Sequence, residues 1–286
     1  MALLRVGAGP PLGWIQSGCQ LMGVSMRARG LLLPVIAAAL MAQAPSQPAP
    51  QPLPLAPDAL AVAKQHLQEW RSKLQSQLMD DWGQLGRYRA ANAQLKAPAP
   101  GENRVVFFGD SITDMWRLEV SFPGKPYINR GIGGQTTAQM LVRFRQDVIA
   151  LQPKVVVILA GTNDIAGNTG PTSLEDIEAN YASMAELARA KGIRVVFSSI
   201  LPVHNYTARA TDLFVTRPMD QIQALNHWLR EYCGVHRLVY LDYYAATVDE
   251  RGYLRSELAE DGLHPNAAGI RIMTPLVEAA IQKALY

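Results

Sequence analysis

Two five-residue runs, Val155-Val156-Val157-Ile158-Leu159 and Ile193-Arg194-Val195-Val196-Phe197, constrain this chain more than any other feature. They are too short for helices and almost free of polar residues. A strand with one face in water alternates in polarity; a strand covered on both faces does not. The two runs therefore require a sheet held between layers of helix. Arg104–Phe108, Pro126–Asn129 and Leu238–Leu241 are the other strand candidates. Helical spacing of apolar residues marks Thr136–Ala150, Ser173–Lys191, Arg217–Tyr232 and Asn266–Leu285. Strand and helix alternate, which implies right-handed crossovers and a three-layer α/β fold around a doubly wound, parallel, five-stranded sheet.

In such a sheet the loops after the strands' carboxyl ends converge on one crevice. After the first strand comes Gly109-Asp110-Ser111, where Ser111 is either a helix cap or a nucleophile beside a helix N-terminus. After the second comes Asn129-Arg130-Gly131-Ile132-Gly133-Gly134-Gln135-Thr136. As a dinucleotide fingerprint this fails, because Thr136 occupies the third glycine position. It is a tight-turn loop, or one that exposes the Gly134 N–H to a substrate oxygen. The third loop, Gly161-Thr162-Asn163-Asp164, offers turn chemistry or an Asn163 amide for a developing oxyanion. Near the C-terminus, Asp261-Gly262-Leu263-His264-Pro265 holds an imidazole and a carboxylate in one short loop, as a capping pair or as base and orienter. His204, after the fourth strand, is a candidate substrate contact. His66, His227 and His236 suit surface or packing roles, and no cluster has metal-ligand spacing.

Taken together and in this order, Gly109-Asp110-Ser111, Gly134, Gly161-Thr162-Asn163-Asp164 and Asp261-Gly262-Leu263-His264 resemble the four sequence blocks of the SGNH (GDSL-type) hydrolases. The resemblance covers about residues 103 to 285 and implies a flavodoxin-like fold. It implies Ser111 as nucleophile, His264 as base with Asp261 as orienter, and an oxyanion hole from Ser111 N–H, Gly134 N–H and Asn163. Asp110 is left to shape the turn. The wording of Asn129–Thr137 is similar to the branch with platelet-activating-factor acetylhydrolase subunits and small carbohydrate esterases, which implies acetyl or other short acyl groups. An α/β-hydrolase elbow is excluded, since Thr113 stands where its second glycine belongs.

The expected activity is therefore that of a secreted serine esterase needing no cofactor and acting on a small-molecule or carbohydrate ester. A lysophospholipase or thioesterase on the same fold, or a non-catalytic glycan-binding module, are the alternatives. Activity should fall on acidification as His264 gains a proton. Nucleic acid is an unsuitable partner: the net charge of +3 comes from Arg5, Arg27 and Arg29 in the first 44 residues, and the rest of the chain is formally neutral. Of the two cysteines, Cys19 lies in the first 44 residues, and Cys233, left alone if that segment is removed, reads as a core residue.

Residues 1–44 read as a leader. Within it Met26 is a second candidate initiator, Arg27 and Arg29 form a basic region, Leu31 to Met41 an apolar one, and Ala42-Gln43-Ala44 a cleavage pattern. Secretion or export to a periplasm is expected, with an uncleaved anchor as the alternative. A proline-rich linker (45–57) and a helical extension (58–100) then precede the hydrolase domain (101–286). The helix over Asp58–Trp82 could pack on the outside of the domain, meet a second copy, or wall the substrate cleft.

Overall fold

The computed structural model describes residues 51–286 except 55, 56, 209 and 211; the leader and much of the linker lie outside the described residues. Five strands, β1 (Val105–Gly109), β2 (Tyr127–Gly131), β3 (Val155–Leu159), β4 (Arg194–Ser198) and β5 (Val239–Leu241), form one all-parallel sheet in the order β2-β1-β3-β4-β5. The chain steps from β1 outward to β2, then returns past β1 to begin β3. That reversal opens a crevice at the carboxyl ends of β1 and β3.

The helices are α1 (Ala59–Asp80), α2 (Arg89–Gln94), α3 (Ser111–Asp114), α4 (Leu118–Ser121), α5 (Thr137–Asp147), α6 (Thr162–Ile165), α7 (Leu174–Arg189), α8 (Leu213–Thr216), α9 (Met219–His236), α10 (Tyr243–Thr247) and α11 (Ala267–Leu285). The alternation of a strand sends neighbouring side chains to opposite faces. Val106, Phe108, Val156, Ile158, Val195 and Phe197 pack with Met140 and Phe144 of α5, Tyr181 and Met184 of α7, and Leu225 and Leu229 of α9. Val105, Phe107, Val155, Val157 and Val196 pack on the other side with Trp116, Phe122 and Met273, Val277 and Ile281 of α11. Each face thus buries its own core, which is why β1 and β3 carry no exposed position.

The ends of the elements follow local chemistry. Ser173 and Asp176 form a capping box at α7, and Asn266 accepts from Ala268 N and Gly269 N at α11. The helix expected from Arg217 begins instead at Met219, because Pro218 holds the N-cap position. It runs on to His236 and stops where Arg237 turns left-handed. β2 continues two residues beyond the expected Asn129, since Arg130 and Gly131 pair with Phe108 and Gly109. Cys233 is buried in the core, and burial pushes its thiol up to about 12. Among the described residues, no helix is long and apolar enough to cross a membrane.

Candidate active site

The crevice is assembled from four loops, and the first is shaped by crowding. A Cβ on residue 109 would collide with the Thr113 side chain and the Leu159 carbonyl, so the end of β1 must be glycine. Asp110 caps the short α3 through Oδ1, which accepts from Ile112 N at 3.0 Å. Ser111 is the first residue of that turn, where a helix leaves its N–H groups without intrahelical partners. Asp110 is fully buried, and its Oδ2 has no hydrogen-bond partner. Burial lifts its carboxyl to about 6, against the Ile112 N–H and the charges of His264 and Arg217.

Ser111 Oγ lies 2.8 Å from His264 Nε2, and His264 Nδ1 lies 2.6 Å from Asp261 Oδ2. The other carboxylate oxygen, Oδ1, accepts from the backbone N–H of Leu263 (3.0 Å) and His264 (2.8 Å). Partial burial works against the Asp261 charge, but the hydrogen bonds from His264 and Leu263 outweigh it and hold the carboxyl below its ordinary range. An ionised Asp261 fixes the Nδ1–H tautomer, which leaves Nε2 free to accept the serine proton.

Gly134 has φ +77°, a conformation natural only to glycine, and its carbonyl accepts from Asn168 Nδ2 at 2.9 Å. The preceding peptide is held by Gly133 N–H donating to Asp114 Oδ2 at 3.1 Å. A Cβ on Gly133 would stand 3.8 Å from Ser111 Cβ, which brings this loop alongside the serine. Asn163, in the first turn of α6, donates one amide hydrogen to Gln135 O at 3.1 Å. Its second amide hydrogen is left for another acceptor.

Several residues not singled out from sequence hold this arrangement. Arg143 of α5 is fully buried and joins three of its parts. It donates to Gly109 O (3.0 Å), Arg130 O (2.9 Å) and Gln135 Oε1 (2.5 Å), with Asp147 as counter-ion at 3.2 Å. Burial lowers its guanidinium to about 10, still charged at neutral pH, and Asp147 works against that lowering. The available signal was an Arg and an Asp four residues apart inside the apolar stripe of Met140, Phe144 and Val148. Arg217 donates to Thr162 Oγ1 (3.1 Å) and stands 3.5 Å from Asn163 Oδ1, orienting that amide. Asp164 accepts from Thr137 N and Oγ1, tying the third loop to α5.

His204 is the correction. It is fully buried; its Nε2 lies 2.7 Å from Ala259 O, and Nδ1 accepts from Tyr206 N at 3.2 Å. With both ring nitrogens engaged it has nothing to offer a substrate. Its backbone N–H donates to Gly262 O at 3.0 Å, so His204 braces the loop that carries Asp261 and His264.

Ile112, Leu159, Thr162, Leu201 and Leu263 line a narrow recess with Asp110 at its wall, too tight in this structure to admit a water molecule. Three of these residues directly neighbour Ser111, Asn163 and His264 in the chain. Among the described residues, no group of three His, Cys, Asp or Glu side chains is placed to hold a metal ion.

Residues 107–272 match the GDSL-like Lipase/Acylhydrolase family. A GDSL-like lipase from Bacteroides thetaiotaomicron of known structure is 40% identical, with a TM-score of 0.65 over 72% of this chain and 100% of that one. A lipoprotein of Bacillus subtilis is 35% identical over 79 residues, 27% of this chain and 32% of its own length. The acetylxylan esterase of Xylanibacter ruminicola is 25% identical over 249 residues, 73% of this chain and 48% of its own. The chain thus spans about half, or less, of the length of these two curated relatives. The fold, the order of the loops and the family match agree: this chain belongs to the GDSL-like lipase/acylhydrolase family of carboxylic ester hydrolases.

Proposed function

We propose that this protein is an exported esterase that removes short acyl groups, acetyl foremost, through an acyl-enzyme on Ser111. The observation that carries this is the continuous relay from Ser111 Oγ to His264 (2.8 Å) to Asp261 (2.6 Å). His264 takes the serine proton as Oγ attacks the ester carbonyl. The N–H groups of Ser111 and Gly134 and the amide of Asn163 receive the oxyanion. His264 then protonates the leaving alcohol, and water repeats the cycle to release the acid.

Acyl length is argued from the resemblance of the Asn129–Thr137 loop to small carbohydrate esterases, with the 25% identity to an acetylxylan esterase in support. The likeness to an acetylxylan esterase supports a sugar as the alcohol. Export is argued from the leader at residues 1–44, with the similarity to a lipoprotein in support. In the same reading, residues 101–286 form the hydrolase domain and 58–100 a helical extension to it.

A series of p-nitrophenyl esters from acetate to decanoate tests the proposal. The expected kcat/KM is highest at acetate or propionate and falls steeply beyond butyrate, with all turnover lost in Ser111→Ala. A maximum at octanoate or decanoate would instead indicate a lysophospholipase or thioesterase.

A further inference from the structure

We propose that α1, which precedes the family's matched residues, supplies the alcohol side of the substrate cleft, with Trp70 as a specificity-determining residue for a neutral, polyhydroxylated alcohol. The inference rests on the esterase reading above and extends it to the other half of the ester.

Three contacts place α1 at the site. Arg71 Nε donates to Asn168 O at 3.1 Å, and its Nη2 donates to Gly167 O. The Asn168 side chain in turn donates to the carbonyl of Gly134. α1 is therefore fastened to the loop that secures the Gly134 peptide. One residue earlier, Trp70 lies directly over Gly134: a Cβ there would come within 2.7 Å of Trp70 Cζ2. The residue at 134 thus must be glycine for its positive φ and also for the indole above it. Trp70 is only partly buried.

A carbonyl with its oxygen between Gly134 and Asn163 has two other substituents. The recess at Ile112 and Leu263 is too tight for the larger of them. A bulky alkoxy group is therefore left to the open side, where α1 stands. There a groove of about 350 Å³ runs between α1 and the loop after α6. It presents the amides of Gln68, Gln75 and Asn168, the hydroxyl of Thr169 and the ring of Trp82, with Leu78 and Met79 also in its lining. Arg71, the cation of this groove, is engaged by the two carbonyls. Amides and hydroxyls that both donate and accept, beside indole faces, match the alternating O–H and C–H surfaces of a sugar. An anionic headgroup would have only Arg71 to pair with in the lining, and that guanidinium is already turned to two backbone carbonyls.

The test compares kcat/KM on acetylated xylo-oligosaccharides and on ethyl acetate, whose alcohol is too small to extend along the α1 groove. In Trp70→Ala the ratio of the two constants should fall about tenfold, mainly through KM for the oligosaccharide. Trp70→Phe should recover most of it. Gln75→Ala, an exposed change that spares packing, should lower the same ratio by a smaller factor. An unchanged ratio in Trp70→Ala and Gln75→Ala would make α1 a structural brace and overturn the inference. So would a native enzyme that cleaves ethyl acetate but not the acetylated oligosaccharides, while leaving the short-acyl reading standing. Failure to cleave either ester would overturn the esterase reading and this inference with it.

Discussion

Asp261 holds His264 at two points. Its Oδ2 lies 2.6 Å from the ring Nδ1, and its Oδ1 accepts the backbone N–H of the same residue at 2.8 Å. One carboxylate therefore sets both the loop conformation and the imidazole tautomer. Asp261→Asn can keep the loop but cannot serve as a charged partner for the imidazolium. The expected loss in kcat is about 10²- to 10⁴-fold, with KM little changed. Steady-state kinetics, with circular dichroism to verify folding, read this out.

Asp261 also sets an acid limit. Its carboxyl is lowered relative to the unfolded chain, so its contribution to stability is present above the ordinary aspartate range and lost as pH falls through the lower folded value. Thermal melts of the native protein and Asp261→Asn should accordingly differ at pH 7 and converge well below pH 4.

Asn163 is expected to act on the transition state more than on binding. Replacing it by alanine removes one donor to the oxyanion, costing on the order of 3 kcal/mol in the barrier, or about 10²- to 10³-fold in kcat. A change confined to KM would place Asn163 outside the hole. Because Arg217 stands 3.5 Å from the Asn163 Oδ1, Arg217→Met should reproduce part of the kcat loss without touching substrate.

Asp110 carries a pH signature of opposite sign. Its carboxyl, fully buried with Oδ2 unpartnered, is raised to about 6. A raised carboxyl favours the folded state while protonated, and that advantage is lost as pH climbs from the ordinary aspartate value through 6. Asp110→Asn can still accept from Ile112 N and carries no charge. Relative to the native protein it should gain stability between about pH 4 and 7, by on the order of 3 kcal/mol at most. Urea unfolding at both pH values measures the difference.

Arg143 is the structural keystone of the crevice. Arg143→Met removes the guanidinium donor shared by the carbonyls of Gly109 and Arg130 and leaves Asp147 buried without its counter-ion. Such a broken buried pair costs about 3–5 kcal/mol. Arg143→Met with Asp147→Leu should recover a substantial part of that stability. It should recover little activity, since the carbonyls of Gly109 and Arg130 and the Gln135 amide still lack the guanidinium that joins them.

The strands were legible because burial on both faces leaves an apolar signature within five residues; β3 and β4 run over the expected positions. The meeting of Ser111, His264 and Asp261 could be anticipated for a related reason, since each of their loops is short and follows a strand or opens a helix. What escaped lies in contacts far apart in the chain. β2 runs on through Arg130 because Asn92 Oδ1 accepts from its guanidinium and Tyr88 stacks under it. Nothing in Asn129-Arg130-Gly131 alone announces that support. His204 looked like a cleft residue because it follows a strand's carboxyl end, yet the loop turns inward and spends its imidazole on Ala259 and Tyr206. α1 was legible as a helix from its apolar spacing, but its place over Gly134 depends on Trp70 and Arg71 meeting loops more than sixty residues away.

The most direct measurement is labelling with a fluorophosphonate, followed by intact mass and peptide mapping. One label per chain is expected, on Ser111, formed at a rate that drops with His264→Ala and absent from Ser111→Ala. A protein that hydrolyses p-nitrophenyl acetate yet takes up no label at Ser111, or takes it up elsewhere, would contradict an acyl-enzyme on that serine.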